Sequence, residues 1–125
     1  MLPFTDELNQ KIKRALDKIS ESYPDIKFEL DHAGYEAATK DIFNDLSETL
    51  KKEGSLISSI PHSGRTLAIF RLNNTIEIEG HKLDRIELFE PKPGSKIDKS
   101  FWEHIAFKVE DFDSVVDKYK NTPNE

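Results

Sequence analysis

The change of hydrophobic period at Gly54 is the feature that most constrains how this chain can fold. Before Gly54, apolar residues recur three or four positions apart in two stretches, which is the spacing of an amphipathic helix. The first stretch predicts a helix from Asp6 to Glu21, and the second predicts one from Ala38 to Lys52. After Gly54 this spacing is lost, so the chain must combine helices with a sheet. We expect Gly54 to end the second helix in a left-handed conformation.

Short runs rich in β-branched and aromatic residues predict the strands. One run lies between the two helices, over residues 26–37, and a last run covers residues 101–110. Between them are four runs bounded by turn residues, with Asn73 and Asn74 forming one of the turns. These runs, which predict an antiparallel meander, cover residues 56–60, 65–72, 75–79 and 83–90. Asp111 is the predicted cap of a final helix. The sequence therefore predicts an α+β fold.

The composition narrows the classes of function. The chain has 24 acidic and 18 basic side chains and a net charge of -6, which disfavours binding to nucleic acid or to anionic lipid. No apolar run approaches the roughly 20 residues of a membrane span, and residues 1–10 lack the pattern of a signal peptide. We therefore expect a soluble, cytoplasmic protein with neither a nucleic-acid nor a membrane partner. Because cysteine is absent, any metal ligands must come from His, Asp and Glu.

A short internal repeat contains two of the four histidines. Residues 31–37 and residues 103–109 share the order acid, histidine, apolar, small, aromatic, charged, apolar. Each copy is predicted to be a strand that leads into a helix. Repeated supersecondary units often pack together and bring equivalent residues close to one another. The repeat therefore predicts that His32 and His104 face one cavity.

Strand alternation selects a third residue for the same cavity. Successive side chains of a strand point to opposite faces, so His32 and His104 lie opposite the apolar residues of their strands. In the predicted strand over residues 83–90, Ile86 and Leu88 are buried, and Glu87 points to the polar side. The three side chains can therefore form one group.

Two imidazoles and a carboxylate suit a divalent ion such as Zn, Mn, Fe, Co or Ni and leave positions open for water or substrate. Gly34 and Ala106 are small neighbours of the histidines and leave room for a ligand. The alternative is that both histidines are ordinary strand residues that hydrogen-bond to their neighbours, and that Glu87 is solvated.

Five short motifs occur in a fixed order along the chain. They are Asp31-His32, Gly64-Arg65, Ile86-Glu87-Leu88, Pro93-Gly94 and Trp102-Glu103-His104. This order resembles the vicinal oxygen chelate, or glyoxalase-like, superfamily, and most closely its YecM-like branch, over about residues 26 to 120. The resemblance implies a βαβββ module and a partial second βα module. These would share a mixed curved sheet with helices on its outer face and an N-terminal covering helix.

The resemblance also implies a domain organisation. We expect a single domain over residues 1–125, in which residues 1–23 form the N-terminal helix. Residues 26–90 would be the first module, and residues 101–120 the partial second module.

The family's metal ligands fall on His32, Glu87 and His104, which strand alternation had selected independently. Arg65 lies at the family's Gly-Arg turn, so it is the predicted contact for an anionic group of the substrate. The alternative for Arg65 is a solvated arginine paired with a surface acid. Glu36 and Lys108 flank the predicted cavity, either as acid–base groups or as solvated rim residues.

The sequence departs from the family in its second module. Members normally add three more strands, the last of which commonly supplies a fourth ligand, whereas this sequence stops soon after Tyr119. The site would then use three ligands and water, or a partner subunit would complete the sheet, or the protein would bind without catalysing. Since an incomplete sheet has an open edge, we expect a homodimer.

Two hypotheses for the function follow from these predictions. The first is a metal-dependent enzyme of the isomerase, lyase or dioxygenase type, whose ion coordinates adjacent oxygens of a small-molecule substrate. The second is a non-catalytic protein of the same fold that binds a small ligand or a metal. Because one fold supports many functions, the resemblance does not choose the reaction.

Overall fold

The computed structural model describes residues 5–94 and 99–109 of the chain. Within them, helix α1 spans Thr5–Ser22 and helix α2 spans Lys40–Glu53. The strands are β1 Phe28–Glu36, β2 Gly54–His62, β3 Arg65–Ile78, β4 His81–Phe89 and β5 Phe101–Val109. The predicted α+β fold is confirmed. The helix predicted after Asp111 lies outside the described residues.

The strands form one mixed sheet in the order β2-β3-β4-β1-β5. Strand β1 pairs in parallel with β4, and the other neighbouring strands are antiparallel. Strands β2, β3 and β4 are the predicted meander, and α2 connects β1 to its far edge. Because β1 lies between β4 and β5, the two copies of the sequence repeat are on adjacent strands. The strand that carries Glu87 is on the other side of β1.

Both helices contribute to a core on one face of the sheet. Helix α1 buries Leu8, Ile12 and Leu16, and α2 buries Phe43 and Leu50. These side chains form a single cluster with apolar residues of the sheet, including Leu30, Ala33, Tyr35, Phe70, Leu83 and Ile86. Each fully buried aliphatic or aromatic side chain contributes roughly 1.5–3 kcal/mol. The core therefore fixes which face of β1, β3, β4 and β5 points away from the helices, and the candidate site lies on that opposite face.

The start of α2 follows the capping pattern, but its end does not follow the prediction. At the start, the Oγ1 of Thr39 accepts a hydrogen bond of 3.1 Å from the backbone N–H of Ile42. At the end, Gly54 has an extended φ of -172° rather than a left-handed one, so that prediction was wrong. A Cβ at Gly54 would lie 2.0 Å from the carbonyl oxygen of Arg71. Glycine is therefore needed because β2 and β3 approach closely at this point.

The turn predicted at Asn73 and Asn74 was also wrong, because β3 is one continuous strand across these residues. Its pairing with β4 changes register between Arg71 and Ile76, where β3 has more residues than the strand opposite it. Both asparagines are exposed, so the extra residues are accommodated as an irregularity without cost to the core.

The edge strand β2 has features that discourage pairing with another chain. Its Leu56, Ile57 and Ile60 are exposed, which by itself favours association. However, a register shift lies at Ile57, and Pro61 has no N–H to donate. The predicted homodimer stays a prediction. None of the helices among the described residues is long and apolar enough to span a membrane.

Candidate metal centre

His32, Glu87 and His104 come together in the middle of the sheet. Gly34 of β1 is the register partner of both Glu87 on β4 and His104 on β5. His32 is two residues before Gly34 on the same face of β1. Ligand atoms of the three side chains all lie within 4.8 Å of one another. The sheet topology thus brings together the three residues that the sequence predicted.

The distances within this group fit a single metal ion. The Nε2 of His32 lies 3.4 Å from the Oε1 of Glu87, and the Nε2 of His104 is at the same distance from that oxygen. Two ligand atoms bound at about 2.1 Å to one tetrahedral ion are about 3.4 Å apart. The two imidazole rings are nearly perpendicular, at 87°. With side-chain exposures of 20% for His32, 18% for Glu87 and 35% for His104, the group is accessible from solvent. These three residues can hold a metal ion.

A β-bulge at Asp31 gives the first histidine its carboxylate partner. The pairing of β1 with β5 shifts between Leu30 and His32, so Asp31 is an extra residue in β1. In a regular strand, Asp31 and His32 would point to opposite faces, whereas a bulge redirects a side chain. The Oδ2 of Asp31 lies 2.7 Å from the Nδ1 of His32. Because a carboxylate accepts, this Nδ1 donates, and Nε2 is the nitrogen left for a metal.

A second register shift lies beside the other histidine. Gly34 pairs with His104 and Tyr35 pairs with Trp102, so Glu103 is the extra residue in β5. Trp102 turns into the core, where its ring centroid is 4.8 Å from that of Tyr35. The Oε1 of Glu103 is 3.9 Å from the Nδ1 of His104. The acid–histidine pair therefore occurs twice, once as a close hydrogen bond and once at longer range.

Gly34 makes room for the imidazole of His104. A Cβ at Gly34 would lie 2.2 Å from the Cε1 of His104 and 2.6 Å from its Nε2. The sequence predicted that the space beside Gly34 would admit a ligand. The structure instead fills this space with the His104 ring, whose contact with the glycine backbone requires the absence of a side chain.

Asp31 is held by contacts on both of its oxygens. Its Oδ1 lies 3.3 Å from the Nζ of Lys108, an ion pair on the β5 side, while Oδ2 faces His32. Partial burial raises the pKa of Asp31, but the hydrogen bonds and charges of His32 and Lys108 outweigh it and lower the pKa overall. Lys108 is therefore ion-paired with Asp31, but its side chain is 70% exposed, so it remains a solvated rim residue.

Arg65 and Glu36 form a buried ion pair on the same face of the sheet as the metal group. Each residue is 7% exposed, and the Nη1 of Arg65 donates to Glu36 Oε1 and, at 3.0 Å, to the carbonyl of Glu90. The guanidinium lies 4.6 Å from the centroid of the Phe89 ring, which is 6.0 Å from the ring of His104. The alternative of a solvated Arg65 is therefore wrong. Contact between Arg65 and a substrate stays a prediction.

The sequence predicted the three candidate ligands but not the residues that support them. Asp31 and Glu103 were visible as the acid of the repeat, but regular alternation places them on the wrong face. Phe89 lies between the metal group and Arg65. In the sequence, only its position two residues after Glu87 indicated that it could lie beside the site.

The chain has detectable relatives at the level of family and fold. The sequence profile described as "YecM protein" matches residues 4–122. A solved structure titled "Structural Genomics, Protein EC4020" has a similar fold, with a TM-score of 0.63 and 19% identity over 83% of this chain. The match covers 59% of that protein's chain, and at this identity the likeness shows the fold alone. None of the curated proteins compared with this sequence matches it.

Proposed function

This chain belongs to the YecM protein family, and we propose that it is a divalent-metal-binding protein with His32, Glu87 and His104 as ligands. We propose further that the bound ion coordinates adjacent oxygens of a small-molecule substrate, in the manner of vicinal oxygen chelate enzymes. Zn, Mn, Fe, Co and Ni are the candidate ions, because each accepts mixed nitrogen and oxygen ligands.

The convergence of both histidine Nε2 atoms on one Glu87 oxygen supports this function most strongly. Each Nε2–Oε1 distance is 3.4 Å. Without a metal, each neutral imidazole has only one N–H to donate. The distance of 3.4 Å is also longer than an ordinary N–H···O bond of roughly 2.7–3.2 Å. For His32 the Nδ1 is already the donor, to Asp31. The arrangement therefore suits a shared cation better than direct hydrogen bonds.

A bound ion would supply Lewis-acid polarisation of substrate oxygens. The protein's own residues would hold the ion from one side only, since the three ligands all come from one face of the sheet. Phe89 and the buried Arg65–Glu36 pair continue this face beyond His104. With Phe89 5% exposed and Arg65 and Glu36 each 7% exposed, these side chains are buried beside the site.

Binding without turnover is the second candidate function. Glu36, one of the two predicted acid–base groups, is buried and paired with Arg65, whereas Lys108 is ion-paired with Asp31 but remains 70% exposed. A proton-transfer group must be within reach of substrate and free to exchange its proton. The burial of Glu36 in an ion pair favours a protein that retains a metal or a small ligand over an enzyme that needs Glu36 for proton transfer.

Metal analysis of the purified protein tests the proposal. The parent protein and a His32→Ala/His104→Ala variant are dialysed against each candidate ion, and the bound metal is measured by plasma mass spectrometry. The matched control is His62→Ala/His81→Ala, which removes the two histidines outside the group. We expect about one ion per chain in the parent and the control, and loss of the ion in the first variant. Saturating metal should also stabilise the parent, by about 2.7 kcal/mol at 100 times Kd.

Equal metal content in the two double variants would contradict the ligand assignment. Turnover of dicarbonyls, hydroxy acids or catechols by the metal-loaded parent would favour the enzyme. Calorimetric binding of one of these compounds without turnover would favour the second candidate.

A further inference from the structure

We infer that Asp31 is a positioning residue, which fixes His32 in the tautomer and orientation that present Nε2 to the metal. This inference rests on the proposed function for its role in metal binding. The part that concerns the orientation of His32 can be tested on the metal-free protein.

The bulge in β1 explains how Asp31 reaches His32. Leu30 is buried in the core, and so is Ala33, although residues three apart in a regular strand face opposite sides. The extra residue at Asp31 restores the core-facing phase on both sides of the bulge. As a result, the carboxylate and the imidazole lie on the same face, with Oδ2 and Nδ1 at 2.7 Å.

The contacts of Asp31 are those of an orienting group rather than a metal ligand. One of its oxygens faces the Nδ1 of His32, on the other side of the ring from the Nε2 that approaches Glu87. Its other oxygen faces Lys108 at 3.3 Å. A carboxylate bound to the second nitrogen of a metal-binding histidine fixes the ring and raises its basicity, and losing such a partner typically weakens metal binding by about 10–100-fold.

The second acid–histidine pair provides an internal comparison. Glu103 is 3.9 Å from His104, beyond a direct hydrogen bond. The ring of His104 instead rests on the backbone of Gly34. We therefore expect Glu103 to contribute much less than Asp31, although each acid comes immediately before its histidine in the sequence.

The test combines imidazole NMR with a metal-affinity measurement. Long-range ¹⁵N–¹H spectra of the metal-free protein are recorded at a pH where imidazole is neutral. Zn affinity is measured by competition with a chromogenic chelator. The variants are Asp31→Ala, Asp31→Asn and Glu103→Ala, with His32→Ala as the reference for loss of a ligand. The matched control is Glu29→Ala, which removes an exposed acid from the same strand.

In the parent and the Glu29→Ala control, we expect His32 to be protonated at Nδ1 only. In Asp31→Ala we expect a mixture of tautomers and a Zn affinity about 10–100-fold weaker. Asp31→Asn keeps an oxygen acceptor, so it should recover most of the tautomer preference and part of the affinity. Glu103→Ala should change the affinity by less than Asp31→Ala.

The inference is overturned if Asp31→Ala leaves the tautomer and the affinity at parental values. It is also overturned if Asp31→Asn abolishes binding as completely as His32→Ala, because Asp31 would then be a ligand. If the parent binds no metal, the proposed function fails, and the NMR spectra alone decide whether Asp31 fixes His32.

Discussion

Gly34→Ala is expected to abolish metal binding without harming the fold. The added Cβ would lie 2.2 Å from the Cε1 of His104, whereas ordinary contact begins at 3.4 Å, so the ring must move by about 1.2 Å. Metal–ligand distances tolerate deviations of only about ±0.2 Å. The His104 side chain is 35% exposed and can turn toward solvent. We therefore expect Zn affinity to fall at least about 100-fold, which corresponds to roughly 2.8 kcal/mol.

The same substitution should increase the free energy of unfolding of the metal-free protein. Gly34 is not among the residues with positive φ, and alanine in a strand is favoured over glycine by roughly 0.5–1 kcal/mol. Chelator competition gives the affinity, and urea unfolding of the metal-free protein gives the stability. The control is Gly34→Ala in a His104→Ala background, where it should have no further effect on metal binding. Parental Zn affinity in the Gly34→Ala single variant would refute the contact between Gly34 and His104 as the cause.

Two further predictions concern charged side chains next to the site. Glu36→Gln and Arg65→Met should each destabilise the protein by about 3–5 kcal/mol, because each leaves an unpaired buried charge. Urea unfolding should give a smaller loss for the double variant than for the two single variants added, and single losses below about 1 kcal/mol would argue against a buried pair. The hydrogen bond from Thr66 lowers the pKa of Glu90 below its ordinary value of 4.5. This carboxylate therefore stabilises the fold fully above that value, and the contribution is lost as the pH falls from there through the lowered pKa of the folded state. Glu90→Gln should flatten the decline in stability with acid below about pH 5, and an unchanged pH dependence would show that the hydrogen bond has no net effect.

The contacts of the site residues bear on the choice between an enzyme and a binding protein. The three ligand side chains approach one point from one face of the sheet, which leaves the outer positions of an ion open. This openness suits catalysis. The burial of Glu36 in an ion pair with Arg65 suits retention without proton transfer by Glu36. A substrate that needs only Lewis-acid activation would reconcile the two observations.

The grouping of the three candidate ligands could be predicted because it depends on local pattern. The apolar residues of the predicted strands indicate which face is buried, and His32, Glu87 and His104 fall on the other face. The repeat predicted that the two histidine strands come together, and β1 and β5 do pair. The fold class also followed from local pattern. The spacing of apolar residues differs between a helix and a strand, and it changes at Gly54.

The supporting contacts could not be predicted because they depend on register between strands that are distant in sequence. The pairing of β1 with β5 decides whether Asp31 is an extra residue. The alternation of side chains within β1 carries no information about this pairing. The same pairing places the His104 ring over Gly34, so a glycine that suggested open space is in fact covered. Arg65 was predicted to contact a substrate or, as the alternative, to be solvated, and only the approach of β1, β3 and β4 buries it against Glu36.

The sequence by itself thus determined the composition of the candidate site and the faces of the strands, because both follow from the geometry of a single strand. Tertiary structure decided how the ligands are oriented, because orientation depends on bulges, contacts with backbone and buried charges that exist only after the strands have paired.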